Sequence, residues 1–306
     1  MKKLLNTLWV TTEGAAVKKD GENLVVEVEG TERLRVPLHR LQSVVVFGAV
    51  LLSPAAVAAC TGAGITLVLL DRVGRFQARV EGPVSGNVLL RRAQYRAADD
   101  PVDYVRGFVC GKIANQRAVL ARSLRDHGTD MGTEARGDLE RAIDRMAGII
   151  RRAMLAPVEA DELRGLEGDA ARLYFSVFDR LIRVPDPEMR FTGRSRRPPL
   201  DCVDALLSFL YTLLVHDCRS ALESVGLDPA VGFLHRDRPG RPSLALDLME
   251  ELRPVLVDRL ALALINRRQL RAADFERRDG GAVWLAEDGR RTVLASWTER
   301  KKEERR

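Results

Sequence analysis

The sequence predicts an α+β protein: a small N-terminal β-rich domain over residues 1–87, followed by a larger all-helical domain over residues 88–306. Three observations lead there. A chain of 306 residues exceeds what one hydrophobic core usually serves. Apolar residues, 46% of the chain, suffice for two packed interiors. The apolar pattern also changes near residue 88, from short β-forming runs to long charged stretches with helical spacing.

Residues 4–11 and 24–28 are rich in strand formers, and Asp20-Gly21 marks a turn ahead of the second run. Residues 44–47 and 65–70 are continuous apolar runs suited to buried strands. Between them, Ser53-Pro54 followed by alanines predicts a helix with serine as N-cap and proline at its first position. Further helices are predicted over 89–124, 134–155, 161–181, 203–225 and 244–270. Two stretches interrupt them. Residues 190–199 hold four arginines, one glycine and two prolines, and residues 235–242 hold three arginines, one glycine and two prolines. Both predict loops. The charge run 298–306 is expected to fray in solvent.

The formal charge is +6, and only seven of the 49 basic residues are lysine. Guanidinium forks suit bidentate phosphate contacts, so the balance favours a polyanionic partner, with nucleic acid first. A modest positive charge is also common in general, and an arginine bias also follows from GC-rich coding. Cys60, Cys110, Cys202 and Cys218 form no CxxC pair, which argues against a structural zinc site or an iron–sulfur cluster. Ordinary thiols fit a cytoplasmic location. Neither a leader-peptide pattern nor a membrane-length apolar run is present, so no membrane partner is expected.

The chemistry-bearing candidates follow from placement. On a helix over 161–181, Glu167 shares a face with Leu163, Ala170, Ala171 and Tyr174. A charge there is costly unless a cation, a salt bridge or a proton compensates it. His235 ends the run Gly232-Phe233-Leu234 at the edge of the second basic loop. An imidazole there can serve a site or simply sit in a turn, and His216, beside Asp217, competes with it. Asp247, Glu250 and Glu251 stand at i, i+3 and i+4 of the next helix, opposite Ala245, Leu248, Met249 and Leu252. Such acids are usually just solvated, but clustered carboxylates with one imidazole also suit a divalent cation, magnesium or manganese. Arg194, Arg196 and Arg197 in the first loop, and Arg236, Arg238 and Arg241 in the second, are the candidates for gripping a DNA backbone.

These motifs resemble a known family. Arg164-Gly165-Leu166-Glu167-Gly168-Asp169-Ala170-Ala171 with Tyr174-Phe175 is similar to the first signature of the universal CRISPR-associated integrase of spacer acquisition. Arg194-Ser195-Arg196-Arg197-Pro198-Pro199 with Ala205-Leu206-Leu207-Ser208 resembles the second. Gly232-Phe233-Leu234-His235, then Ser243-Leu244-Ala245-Leu246-Asp247-Leu248-Met249-Glu250 and Arg253-Pro254, resembles the third. Leu5-Asn6-Thr7-Leu8 and Val10-Thr11-Thr12-Glu13-Gly14 are similar to the family's opening strands, and the type I-C subtype is nearest.

The resemblance implies an N-terminal β domain that dimerises and a helical catalytic domain. It implies metal ligation by Glu167, His235 and Glu250, with Asp247 as a supporting catalytic acid. It further implies metal-dependent insertion of short DNA duplexes into a CRISPR array, by attack of 3′-hydroxyls on the ends of a repeat, in antiviral defence. Cleavage of branched DNA, a homodimer, a small ferredoxin-like adaptation partner and an iron–sulfur exonuclease partner belong to the same expectation. Cys202 departs from the usual proline or asparagine, and Asp204 from the usual asparagine, where an extra negative charge would weaken a backbone or DNA contact or join the metal shell. The chain also ends at Arg306, earlier than relatives of this subtype lead one to expect, which bears on partner binding more than on chemistry.

Two other function classes compete. A non-catalytic DNA-binding scaffold needs only the basic loops. A small-molecule phosphohydrolase is disfavoured, because no GxxxxGK[ST] cradle and no GxSxG elbow is present.

Overall fold

The computed structural model describes residues 7–82, 87–155, 159–195 and 198–303. By its contacts the chain divides into two compact units, residues 1–84 with 290–306, and residues 85–289. The architecture is the predicted α+β kind, with strands first and helices after.

In the first unit, β1 (Thr7–Val10), β5 (Ser43–Phe47) and β7 (Thr66–Leu70) run parallel, and β8 (Phe76–Val80) closes the sheet antiparallel to β7. The apolar runs foreseen as buried strands are β5 and β7, and most of their side chains are buried, as central parallel strands require. A second sheet has the order β4 (Thr31–Pro37), β3 (Asn23–Val28), β2 (Ala16–Asp20), β6 (Leu51–Leu52). Gly21 turns β2 into β3 with φ 54°, a conformation that favours glycine. Sequence reading missed β2, β4 and β8, because charged and exposed residues dominate them and ladder pairing rather than alternation holds them. Helix α1 (Pro54–Gly62) starts as foreseen, with the Ser53 hydroxyl accepting from the Ala56 N–H at 3.2 Å. Leu8, Val17, Leu24, Val44, Cys60 and Leu67 belong to a shared hydrophobic core of this unit.

The second unit is helical. The predicted helix over 89–124 is two helices, α2 (Val88–Asp99) and α3 (Val102–His127), because Pro101 stands between them. Then come α4 (Thr133–Leu155), α5 (Ala160–Ser176) and α6 (Cys202–Ser224). The predicted 244–270 segment comprises α7 (Ser243–Leu252), one π-helical turn (Arg253–Asp258) and α8 (Arg259–Asn266). Pro254 has no N–H to continue the α pattern, and the widened turn accommodates it. A short hairpin, β9 (Phe275–Arg277) with β10 (Val283–Leu285), had no counterpart in the sequence reading.

The expectation that residues 298–306 fray is corrected for the described part of that run. Helix α9 spans Glu287–Glu303. Val293, Leu294 and Trp297 are buried on one face of it, and Trp9 Nε1 donates to Thr298 Oγ1 at 3.2 Å. Among the described residues no helix is long and apolar enough to cross a membrane.

Candidate metal centre and its surroundings

Helix α3 positions this site, because it packs against both α5 and α7. Its buried stripe runs Val105, Val109, Lys112, Ile113, Gln116, Val119, Leu120. Lys112 is only 5% exposed, and its stem lies among apolar neighbours while its ammonium reaches across to acids.

On α5, Leu163, Ala170 and Tyr174 are fully buried, as the shared face of Glu167 requires. Glu167 itself is half-buried, and its Oε1 pairs with the Lys112 ammonium. On α7, Glu250 is 3% exposed; its Oε2 lies 2.6 Å from the same ammonium and its Oε1 lies 2.8 Å from Arg253 Nη1. One cation therefore joins two of the three candidate ligands. Burial alone would raise the Glu250 carboxyl, but Arg253 and Lys112 outweigh it and hold the group below the usual carboxylate range. Burial would likewise lower the Lys112 ammonium, and Glu250 and Glu167 reverse that, so it is held above the ordinary lysine range.

His235 stands on a turn that its neighbours fix from several sides. The backbone N–H groups of Phe233 and Leu234 donate to Asp247 Oδ2 at 2.6 and 2.9 Å, and that of His235 donates to Oδ1 at 2.8 Å. His235 Nδ1 lies 2.6 Å from the same Oδ1. A carboxylate only accepts, so Nδ1 carries the proton and Nε2 is left as the ligating nitrogen. Arg164 clasps the turn from below through Nε to the Leu234 carbonyl at 2.6 Å and Nη2 to the Phe233 carbonyl at 3.0 Å. Tyr104 stacks on Phe233 with ring centroids 4.6 Å apart. Asp247, fully buried, is thus committed to orienting His235. The His235 imidazole is near enough to Glu250 to help lower its carboxyl. Glu251, the third acid, faces α3 at Gly111: a Cβ there would come 2.5 Å from its Oε1.

Among the described residues, no three His, Cys, Asp or Glu side chains stand at metal-holding distances. The donor set nonetheless suits a cation. Glu250 Oε2 is buried and, though close to the ammonium, has no aligned hydrogen bond, so a lone pair remains for an ion. Two carboxylates and a carboxylate-backed imidazole match magnesium or manganese.

The arginine candidates divide. Arg194 is held down: Nη1 donates to Asp204 Oδ1 at 2.5 Å and the guanidinium lies over the Tyr211 ring at 5.0 Å. Asp204, fully buried, also takes the Ser195 N–H at 3.1 Å and the Ser195 hydroxyl at 2.5 Å. The departure thus engages Arg194, itself one of the candidates for gripping DNA. Its charge anchors Arg194 and Ser195 and is shut off from solvent, while Asp201 holds Thr192. Arg236 is exposed and bonds Asp161 Oδ2 at 2.7 Å, Arg238 is exposed, and Arg241 is half-buried. Arg196 and Arg197 lie outside the described residues. Cys202, the other departure, is a buried thiol at the start of α6, pushed up to about 11 by burial.

Sequence reasoning missed Lys112, and it named Arg164 and Arg253 only as motif residues, without a role. Lys112 carried a readable signal, as the one charge on the apolar stripe of α3. It also missed Asp258, buried beneath the site, which accepts from the Tyr174 hydroxyl at 2.9 Å and the Tyr211 hydroxyl at 2.7 Å. Arg253 lies over the same Tyr211 ring at 4.7 Å.

Comparisons with known proteins agree in direction. A family model described as CRISPR associated protein Cas1 matches residues 8–299. A Rhodospirillum rubrum protein named CRISPR-associated endonuclease Cas1 2 is 68% identical over 306 residues, covering 100% of this chain and 89% of its own. A Geobacter sulfurreducens protein named as a fusion of exonuclease Cas4 with endonuclease Cas1 is 38% identical, covering 97% of this chain and 53% of its own. A solved Cas6-RT-Cas1–Cas2 complex contains a chain with TM-score 0.81 and 25% identity, covering 98% of this chain and 32% of that one.

Proposed function

The chain belongs to the family of the CRISPR-associated protein Cas1, and from that membership we propose that it is a divalent-metal-dependent DNA endonuclease and integrase of CRISPR adaptation. In this reading it inserts short DNA duplexes into the array by 3′-hydroxyl attack on phosphodiesters at repeat ends, and cleaves branched DNA in isolation. The observation that carries it is the meeting of Glu167 and Glu250 on one cation, with His235 held beside them by Asp247.

Glu167, Glu250 and His235 Nε2 would hold magnesium or manganese. Such an ion, when bound, activates a hydroxyl and stabilises charge on the phosphodiester. The chain's own contribution is orientation. Asp247 fixes the imidazole tautomer, and Arg164 fixes the turn that bears it. The exposed Arg236 and Arg238 would grip phosphates, together with Arg241, Arg196 and Arg197, whereas Arg194 acts through the loop it shares with Asp204. The motif resemblance favours the type I-C subtype. A homodimer through the β-rich domain, a Cas2-like ferredoxin-fold partner and an iron–sulfur exonuclease partner of the Cas4 kind complete the reading. The fusion and complex found among relatives support the last two.

The experiment is joining and nicking of branched DNA with magnesium or manganese, with and without chelator. Glu167→Ala and His235→Ala are each expected to lose at least about 100-fold in rate, beyond the effect of an outer-shell partner, with DNA binding retained. Full activity in both variants overturns the metal assignment. Salt-sensitive binding without any metal-dependent product favours the scaffold reading instead.

A further inference from the structure

Lys112 stands where a second cation would have to stand. Its ammonium touches Glu167 and lies 2.6 Å from Glu250 Oε2, while Arg253 holds the other Glu250 oxygen at 2.8 Å. Two carboxylates face two cationic heads, so the group is electrically balanced with no added ion. A divalent cation seated on the same oxygens would meet a like charge at contact distance in a poorly solvated site, which is strongly unfavourable. Ammonium and metal therefore exclude each other.

Lysine suits such an exchange better than arginine, since it bears a point charge on a flexible four-carbon stem without a fixed fork. It also has somewhere to go. A cavity of about 50 Å³ beside it is lined by Gln116, Tyr211 and Asp258, whose oxygens can accept from a displaced head group, and by Arg194 and Arg253, whose charges keep that head group toward the acceptors.

We propose that Lys112 is a built-in counter-cation: it holds Glu167 and Glu250 together in the metal-free protein, and it is displaced when the divalent ion binds. Lys112 then sets how tightly the site loads. It is a positioning residue, and the inference rests on the metal reading above.

The test uses the full chain and binding rather than turnover. Manganese affinity by calorimetry and melting temperature in chelator are measured for the wild type and for Lys112→Met. The variant is expected to melt lower in chelator, because two acids lose their partner. It is also expected to bind manganese about tenfold more tightly or better, since nothing competes. Manganese bound by the wild type as tightly as, or more tightly than, by the variant overturns the proposal alone. Manganese bound by neither overturns it together with the metal reading.

Should the variant not fold, the wild type answers by itself. With only seven lysines, ¹⁵N-lysine labelling gives a resolvable set, in which the buried ammonium is a slowly exchanging signal. Magnesium is expected to abolish that signal. Magnesium binding that leaves it unchanged overturns the proposal.

Discussion

At the scale of single residues, the second unit keeps its buried charges by supplying each with partners. Asp258 is one of them. Burial pushes its carboxyl up to about 6, although hydrogen bonds from Tyr211 and Tyr174, and the charges of Arg253 and Arg194, pull the other way. The folded protein thus holds this proton more tightly than the unfolded chain does. The stability it contributes is complete below about pH 4, the ordinary carboxyl value, and is lost as pH rises through about 6. Removing one hydroxyl should hurt most when the acid is charged. Tyr174→Phe is expected to cost about 2 kcal/mol at pH 8 and about 1 kcal/mol at pH 5. Equal losses in denaturant titrations at the two pH values would refute this. Lys112 and Asp258 share a lesson: each reads as an ordinary or intrusive charge in sequence, and each has a partner far along the chain, 55 residues away for Lys112 and Glu167 and 84 for Asp258 and Tyr174.

At the scale of elements, the site depends on a turn and on a faulted helix. The Gly232–His235 turn is pressed against the start of α7. A Cβ on Gly232 would meet Ser243 Cβ at 2.6 Å and Asp247 Oδ2 at 3.0 Å. Gly232→Ala must therefore shift α7 or the turn, with an expected loss of about 1–3 kcal/mol, the usual cost of overpacking. Urea denaturation measures it, and a loss within error of zero would show the turn to be loose. The helix that follows was read as one continuous run. Apolar spacing cannot distinguish α from π geometry over a single turn, and Pro254 was the one local sign of the fault. The consequence reaches the site, because the turn begins at Arg253, whose guanidinium spans Glu250 and Tyr211.

At the scale of the whole molecule, the C-terminal helix changes how the chain is partitioned. Residues 290–306 group with the β-rich unit, though they follow the helical one in sequence. Trp297 is fully buried, and Trp297→Ala is expected to cost about 3–5 kcal/mol in unfolding free energy. A loss below about 1 kcal/mol, the level of an ordinary surface change, would return this segment to the frayed tail that its charges suggest.

The α+β order, the two basic loops and the suspicion attached to Glu167 were legible in the chain itself, because they rest on short-range spacing. Alternation, helical period and proline placement act within a turn or two, and an acid on an apolar face is visible without knowing its partner. The family's motifs, in order, were legible in the same way. The tertiary structure alone decided that Lys112 is the cation that Glu250 shares with Glu167, that Asp247 is consumed in holding His235, and that Asp204 is neutralised by Arg194. The first depends on which helices meet, and the other two on how a turn and a loop fold back onto the helix that follows, 12 and 10 residues away. Compensation of Glu167 and Glu250 is a long-range matter, decided by the packing of α3 against α5 and α7 and by no local pattern in any of them.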